Sequence, residues 1–291
     1  MSFSVLKQIR TALANLSPSE VRELADRPFT IGLLASSDDA YESMIRFLLP
    51  PGVSERKAEQ STGRLLRIER EPDFDDCDFG LAERSLRHPR HFYEPDRAVT
   101  GFLHHHEDLW IPVARHFLTF RDGVVERLIR KIARENALVA IATAIPNIAP
   151  SFLELPWAVG EFASDTAVLT MNQIRLGFLI AAASDAAVGY REQRGQIASI
   201  ITSAFGWRAL ARELVSKIPL GGGLVPKGLV AYAGTYVVGL GLERYQRLGR
   251  GLTADEKKEQ YARAYERGRE VVEKLVGQVL PMRRRFPEHA D

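Results

Sequence analysis

Charge is spread unevenly along this chain, and that constrains its fold more than any single motif. Between Ala137 and Leu242 lie 106 residues with only 13 charged side chains, about 12%. The other 185 residues carry 63 charges, about 34%. An apolar stretch of that length has to be covered, by protein or by lipid. The whole chain has 45% hydrophobic and 26% charged residues, the balance of a folded rather than a disordered protein. Its net charge of +2 supplies no strong field for nucleic acid or an acidic substrate. One cysteine, Cys77, excludes a disulfide framework and a cysteine-built zinc site. The opening Met-Ser-Phe-Ser-Val-Leu-Lys-Gln-Ile-Arg lacks the apolar run of a signal peptide. A cytoplasmic location, free or at the cytoplasmic face of the inner membrane, is therefore expected.

Residues 1–25 predict two short helices separated by a turn at Leu16-Ser17-Pro18-Ser19. Ser17, Pro18 and Glu20 open the second as a capping box. Residues 28–35 form an apolar run of strand length, followed by a helix capped by Asp38 or Asp39 and stopped near Leu49 by Pro50-Pro51-Gly52. Residues 64–70 and 76–83 predict two further strands. Residues 26–100 thus read as a small α/β unit and 101–280 as a helical domain, with a basic tail at 281–291. Within the helical part, Asp96–Phe120, Gly123–Asn136 and Thr253–Val279 carry helical apolar spacing. The expected fold is mainly α, a multi-helix domain preceded by the small α/β unit.

Strand, polar loop and helix are the outline of a phosphate-binding loop. A live loop, GxxxxGK[ST], turns backbone N–H groups and a lysine toward phosphate and a hydroxyl toward magnesium. In that register this chain reads Ala35-Ser-Ser-Asp38-Asp39-Ala40-Tyr41-Glu42. Alanines replace both glycines, Tyr41 the lysine and Glu42 the hydroxyl, while Asp38 and Asp39 repel phosphate. No [NT]KxD guanine-specificity motif is present. The unit is either a GTPase-like fold that has lost nucleotide chemistry or an ordinary βα unit.

The apolar middle holds three candidate membrane segments, 136–153, 195–207 and 218–242. Only the last has spanning length, about 20 residues, and Pro219, Gly221, Gly222, Gly223 and Pro226 break its start. It contains one charge, Lys227, and small residues at Ala231, Gly234, Gly239 and Gly241 that allow close helix approach. The expectation is a glycine-rich apolar hairpin, in a bilayer or in a helical core. Glu154, Glu161, Asp165 and Asn172, spaced 7, 4 and 7, fall within about 40° on a helix, with Arg175 roughly 60° further round. Arg175, Arg191 and Arg194 can pair with these carboxylates, and Asp185 is near in sequence. The stripe serves as an ion or proton path, a metal site or a partner seam. Otherwise it is a solvent-facing stripe or an ion network that fixes helix register.

Six of the seven histidines lie between His88 and His116 (His88, His91, His104, His105, His106, His116). Adjacent helical residues point about 100° apart, so His104–His106 do not ligate one ion there. No GxSxG turn is present, and the Asp75, Asp76 and Asp78 carboxylates oppose a Cys77 thiolate. Arg283-Arg284-Arg285 is a small basic patch at the end.

Several segments resemble one bacterial family. They are Phe120-Arg-Asp-Gly-Val-Val-Glu-Arg-Leu-Ile-Arg-Lys-Ile-Ala-Arg-Glu-Asn-Ala137, Ala144-Ile-Pro-Asn-Ile-Ala-Pro150, Asn172-Gln-Ile-Arg175, Phe205-Gly-Trp-Arg-Ala-Leu-Ala-Arg-Glu-Leu214, Ile218-Pro-Leu-Gly-Gly-Gly-Leu-Val-Pro-Lys227 and Ala233-Gly-Thr-Tyr236. The family is the YcjF-like, GTPase-associated domain of unknown function, and the likeness covers about half the chain. The resemblance implies a helical domain following a GTPase-type domain, with membrane association in several members. It implies no catalytic residue. The expected function is a non-catalytic, membrane-associated or partner-binding helical module with a nucleotide-dead GTPase-like unit. The alternatives are a soluble partner or regulator of a true GTPase, and a metal-dependent hydrolase using Glu154, Glu161 and Asp165. Expected partners are membrane lipid, a membrane protein or a GTPase in trans, with no nucleic acid. No cofactor, metal, nucleotide-binding or catalytic residue is expected.

Overall fold

The computed structural model describes residues 16–69, 71–83, 92–93, 95–145, 165–202 and 223–283. The protein is mainly helical, with one small parallel sheet in its N-terminal region. The chain divides into two compact units. One comprises Ser19–Arg127 and Leu179–Val188, the other Met1–Pro18, Leu128–Phe178 and Gly189–Asp291.

In the first unit, α1 (Pro18–Asp26) precedes β1 (Ile31–Leu34), α2 (Asp38–Leu48), α3 (Glu55–Thr62) and β2 (Leu65–Ile68). β3 (Phe79–Glu83) and the two-residue β4 (Phe92–Tyr93) follow. The strand order is β2-β1-β3-β4, parallel throughout, with Ile31 opposite both Leu65 and Phe79. All four residues of β1 are buried, as a central parallel strand covered on both faces requires. The three expected strands therefore form, shorter than their apolar runs. The cap of α2 is Ser37 rather than Asp38 or Asp39: its side chain accepts the Ala40 N–H, and the two aspartates lie in the first helical turn. There they still favour the helix N-terminus electrostatically.

The helical spacing over Asp96–Phe120 does not make one helix. α4 (Pro95–His105), a short 3₁₀ turn (Glu107–Leu109) and α5 (Trp110–His116) replace it, and α6 (Leu118–Ala142) begins after an extended Phe117. Pro112, in the first turn of α5, has no N–H to continue the preceding helix, and Phe79 packs across the break. Its ring meets Phe102 at 5.0 Å and Phe120 at 6.1 Å, and Phe102 and Phe120 meet at 4.8 Å. The kinks bring these rings from different segments onto the sheet. This packing carries the first unit past residue 100, the expected domain boundary, to Arg127.

In the second unit, α6 continues beside α7 (Asp165–Ala183, its last turns counted with the first unit), α8 (Leu224–Leu248) and α9 (Ala254–Arg283). α8 and α9 form an antiparallel pair. Tyr261, Ala264, Tyr265, Val272, Leu275 and Val279 recur at helical spacing on α9 and are all buried. They join Ala137 and Ile141 of α6 and Leu229, Tyr232 and Ala233 of α8 in one core. Of the expected glycine-rich hairpin at 218–242, the part from Leu224 onward is one continuous helix capped at Gly223, and 218–222 lie outside the described residues. Pro226 sits in the first turn, where its missing N–H costs nothing.

Candidate functional site

Among the described residues, polar groups meet at the carboxyl edge of the sheet and inside the helical unit. The first is the crevice beyond the carboxyl ends of β1 and β3. In a parallel sheet whose chain leaves β1 toward β2 on one side and β3 on the other, that switch point is where ligands bind. Here the protein fills it with its own carboxylate. The Ser36 backbone N–H donates to Glu83 Oε2 at 2.8 Å, and the Ser36 hydroxyl donates to the same oxygen at 2.5 Å. Glu83 ends β3, so strand register delivers it to the loop. Arg67, on β2, reaches Asp38 Oδ1 at 2.6 Å and lies over the Tyr41 ring at 4.9 Å. An incoming anion at this helix start has to displace Glu83 and sit beside Asp38 and Asp39, both exposed. Ala35 and Ala40 are partly covered, and Glu42 is exposed. The geometry disfavours phosphate.

The second place is a buried polar network in the helical unit. Asn136 on α6, Asn172 and Gln173 on α7, and Thr235 on α8 are all buried. Asn136 Nδ2 donates to Thr235 Oγ1 at 2.8 Å and to the Leu169 carbonyl at 3.2 Å. Asn172 Nδ2 donates to Asn136 Oδ1 at 2.7 Å, and Gln173 Nε2 donates to Thr235 Oγ1 at 3.2 Å. Beside it Arg175 and Glu135 form an ion pair at 3.6 Å. The Asn172 Oδ1 and Gln173 Oε1 oxygens are buried and accept no hydrogen bond. All four core members are neutral and do not titrate near neutral pH, so the network offers no acid–base chemistry. Its physical effect is to fix how three helices align.

The expected carboxylate stripe is only partly in view. Glu154 and Glu161 lie outside the described residues, as does the Asp165 side chain, although Asp165 opens α7. Asn172 faces the core rather than solvent. Arg175 pairs with Glu135. Asp185 belongs elsewhere: it receives Lys57 Nζ at 2.8 Å and Arg115 Nε at 3.0 Å. Arg191 and Arg194 are exposed. Gly221 and Gly222 lie outside the described residues. Gly223 is the exposed cap of α8, Gly234 is buried, and the exposed Lys227 reaches Thr143 Oγ1 at 3.5 Å. Among the described residues no group of three His, Cys, Asp or Glu side chains is placed to hold a metal.

The histidines divide. His88 and His91 lie outside the described residues. His104 and His105 are exposed, and His106 stacks on Phe102. His116 is half-buried against Phe29, with Ser61 Oγ 3.4 Å from its Nδ1. Burial, with Arg64, Lys57 and Arg115 nearby, pushes its pKa down to about 4. The Cys77 thiol is raised by burial and by Asp76 and Asp78.

Sequence reasoning missed Glu83, Arg67, Gln173, Asn136 and Thr235 as site residues. Only a shared signal pointed to the last three: Asn136, Asn172-Gln173 and Thr235 all fall in the segments that carry the family resemblance. No family model matches the chain, and no curated protein or solved structure matches it.

Proposed function

We propose that this chain is a non-catalytic, membrane-associated or partner-binding helical module whose α/β unit is GTPase-like in outline and dead to nucleotide. One observation carries the reading: the Ser36 N–H and hydroxyl, placed where a phosphate loop meets its ligand, are held by Glu83. Replacement of the loop lysine by Tyr41, itself covered by Arg67, supports it. The helical half of the reading draws on the resemblance to the GTPase-associated domain; in this chain Glu135-Asn136, Asn172-Gln173, Arg175 and Thr235, all within the resembling segments, meet across three helices.

Membrane association draws on Thr166–Ala183, a window long and apolar enough to cross a bilayer by length and composition. Most of that window is buried in the fold, and the core helix of a soluble protein passes the same test. Titration calorimetry of the full chain with magnesium-GTP and with GDP tests the nucleotide half. No heat of binding is expected, and stoichiometric binding of either nucleotide overturns it. Fractionation of the untagged protein by carbonate wash and then detergent tests the membrane half. Retention through carbonate means insertion, release by carbonate means peripheral docking, and a soluble protein leaves the partner-binding form.

A further inference from the structure

We propose that the amino-terminal edge of the sheet, opposite the loop that Glu83 fills, binds a phosphate-type oxyanion at Arg64. The strands are parallel, so the residues leading into β1 and β2 come to one edge. There the Ile31 N–H donates to the Arg64 carbonyl at 2.8 Å. The Arg64 guanidinium lies over the buried Phe29 ring, 4.7 Å from its centroid. The His116 ring meets the same phenyl ring edge-on at 5.8 Å. Lys57, on α3, and Arg115, on α5, complete the cluster. Neither half of the reading above depends on this site.

Arg64 differs from its cationic neighbours in its partners. Lys57 Nζ reaches Asp185 Oδ2 at 2.8 Å, Arg115 Nε reaches Asp185 Oδ1 at 3.0 Å, and Arg115 also holds Asp26. Arg121 donates to the Ala114 carbonyl at 3.1 Å and to the Arg115 carbonyl at 3.3 Å. Among the described residues the partly exposed Arg64 side chain meets only the Phe29 face, which leaves its N–H edges without a protein acceptor. Lys57, Arg64 and Arg115 outnumber Asp26 and Asp185, so this cluster keeps an excess of positive charge. Two titratable groups feel it. Arg64 itself is lowered by burial and then by Arg115, with Asp26 opposing. His116 is held at about 4 by burial and then by Arg64, Lys57 and Arg115, with Asp185 opposing. An oxyanion on the open guanidinium edge takes two parallel charge-assisted hydrogen bonds and cancels the excess. A dianion also favours the protonated His116 ring, so the cluster and its histidine together match the two charges of phosphate better than a single carboxylate.

The test is titration of the full chain with inorganic phosphate, sulfate, acetate and chloride at equal ionic strength, followed by calorimetry and by the histidine ring resonances. His116→Gln assigns the His116 signal. Sulfate keeps both charges between pH 4 and 7, so pH effects on its binding come from the protein. Saturable binding of phosphate and sulfate is expected, with acetate much weaker and chloride without effect. Saturation with sulfate is expected to raise the His116 pKa by about one unit. Arg64→Gln is expected to weaken sulfate about tenfold or more, and Arg64→Lys less, because the charge remains and the paired N–H edge is lost. Arg56→Gln, an exposed cation on the same helix as Lys57, is expected to leave binding unchanged. Thermal melts in anion-free buffer establish that the variants fold. Absent saturable binding, a chloride effect equal to that of sulfate, or binding unchanged in Arg64→Gln overturns the proposal. Acetate binding as tight as sulfate overturns the phosphate class, and a His116 pKa that does not move on saturation overturns the placement.

Discussion

Asn136 donates its side-chain amide to the Thr235 hydroxyl across 2.8 Å, and both residues, 99 positions apart in the chain, are buried. The same Asn136 accepts from Asn172, so removing it strands polar groups on two other helices. Asn136→Ala is expected to cost about 3 kcal/mol, combining lost hydrogen bonds with a small cavity. Thr235→Val keeps the shape and is expected to cost about 1–2 kcal/mol. Urea denaturation of both single variants and the double checks this. A coupling energy near zero means that the two residues do not act as one network.

How far the sequence reaches shows in these same residues. The helices were legible where apolar spacing, a cap and a breaker agreed: β1 and α2 fall where the apolar run, the polar loop and Pro50 put them. Asn172 also stood out as polar on an apolar helix. Its environment did not, because angular arithmetic along one helix knows nothing of the residues that face it. Asn136 and Thr235 arrive from α6 and α8, and only tertiary packing brings them to Asn172 and Gln173. Asp38 and Asp39 masked the true cap, Ser37, because all three are good capping residues and their order alone does not choose among them. Glu83 was illegible for another reason. It meets Ser36 through the β1–β3 register, and register is not written in either strand alone.

Close packing of α8 on α9 predicts a contrast between two glycines. A Cβ built at Gly268 meets the Tyr232 ring at 2.5 Å, whereas one at Gly277, further along the same helix, meets nothing within 4 Å. Gly268→Ala is expected to destabilise by about 1–3 kcal/mol, since the tyrosine is buried and has to move. Gly277→Ala is expected to stabilise by about 0.5–1 kcal/mol through helix propensity and a less flexible unfolded chain. Thermal melts of the two variants should move in opposite directions. A Gly268→Ala melt equal to that of the parent means that the helices are further apart than this packing requires.

His116 gives the fold an acid-sensitive element. Its folded pKa of about 4 lies below the ordinary value of 6.5, first through burial and then through Arg64, Lys57 and Arg115. The neutral ring is therefore the folded form. The unfolded chain takes up a proton as pH falls below about 6.5, so the stabilisation is complete above that pH and is lost progressively down to about 4. Discounted for the exposed part of the ring, the loss is about 2 kcal/mol or less. His116→Gln is expected to flatten the stability–pH curve across this window. Denaturation midpoints at pH 7, 6, 5 and 4 decide it, and an unchanged slope in the variant assigns the acid sensitivity to other groups.

Asp185 caps the end of α7 in a conformation that glycine usually supplies. Its φ is +60°, the Ala186 N–H donates to the Ala181 carbonyl at 2.9 Å, and the Asp185 N–H donates to Ala182 at 3.1 Å. An aspartate occupies this left-handed position because its carboxylate has two partners, Lys57 and Arg115. Burial alone raises that carboxyl, but the hydrogen bonds and charges of Lys57 and Arg115 outweigh it and the net shift is downward. Its stabilisation is therefore present above the ordinary carboxylate pKa, about 3.9, and is lost as pH falls below it. Asp185→Asn keeps a side chain that tolerates the left-handed turn and removes the charge. It is expected to cost about 1 kcal/mol, small because the carboxylate is a third exposed. Asp185→Gly loses the same pairs but relaxes the backbone and should be nearer the parent. Asp185→Ala loses the pairs and keeps the strain, so it should be the least stable, by about 2 kcal/mol. Urea midpoints in the order parent, glycine, asparagine, alanine support this account. If alanine matches glycine, the turn is not held left-handed, and the ion pairs alone explain the residue.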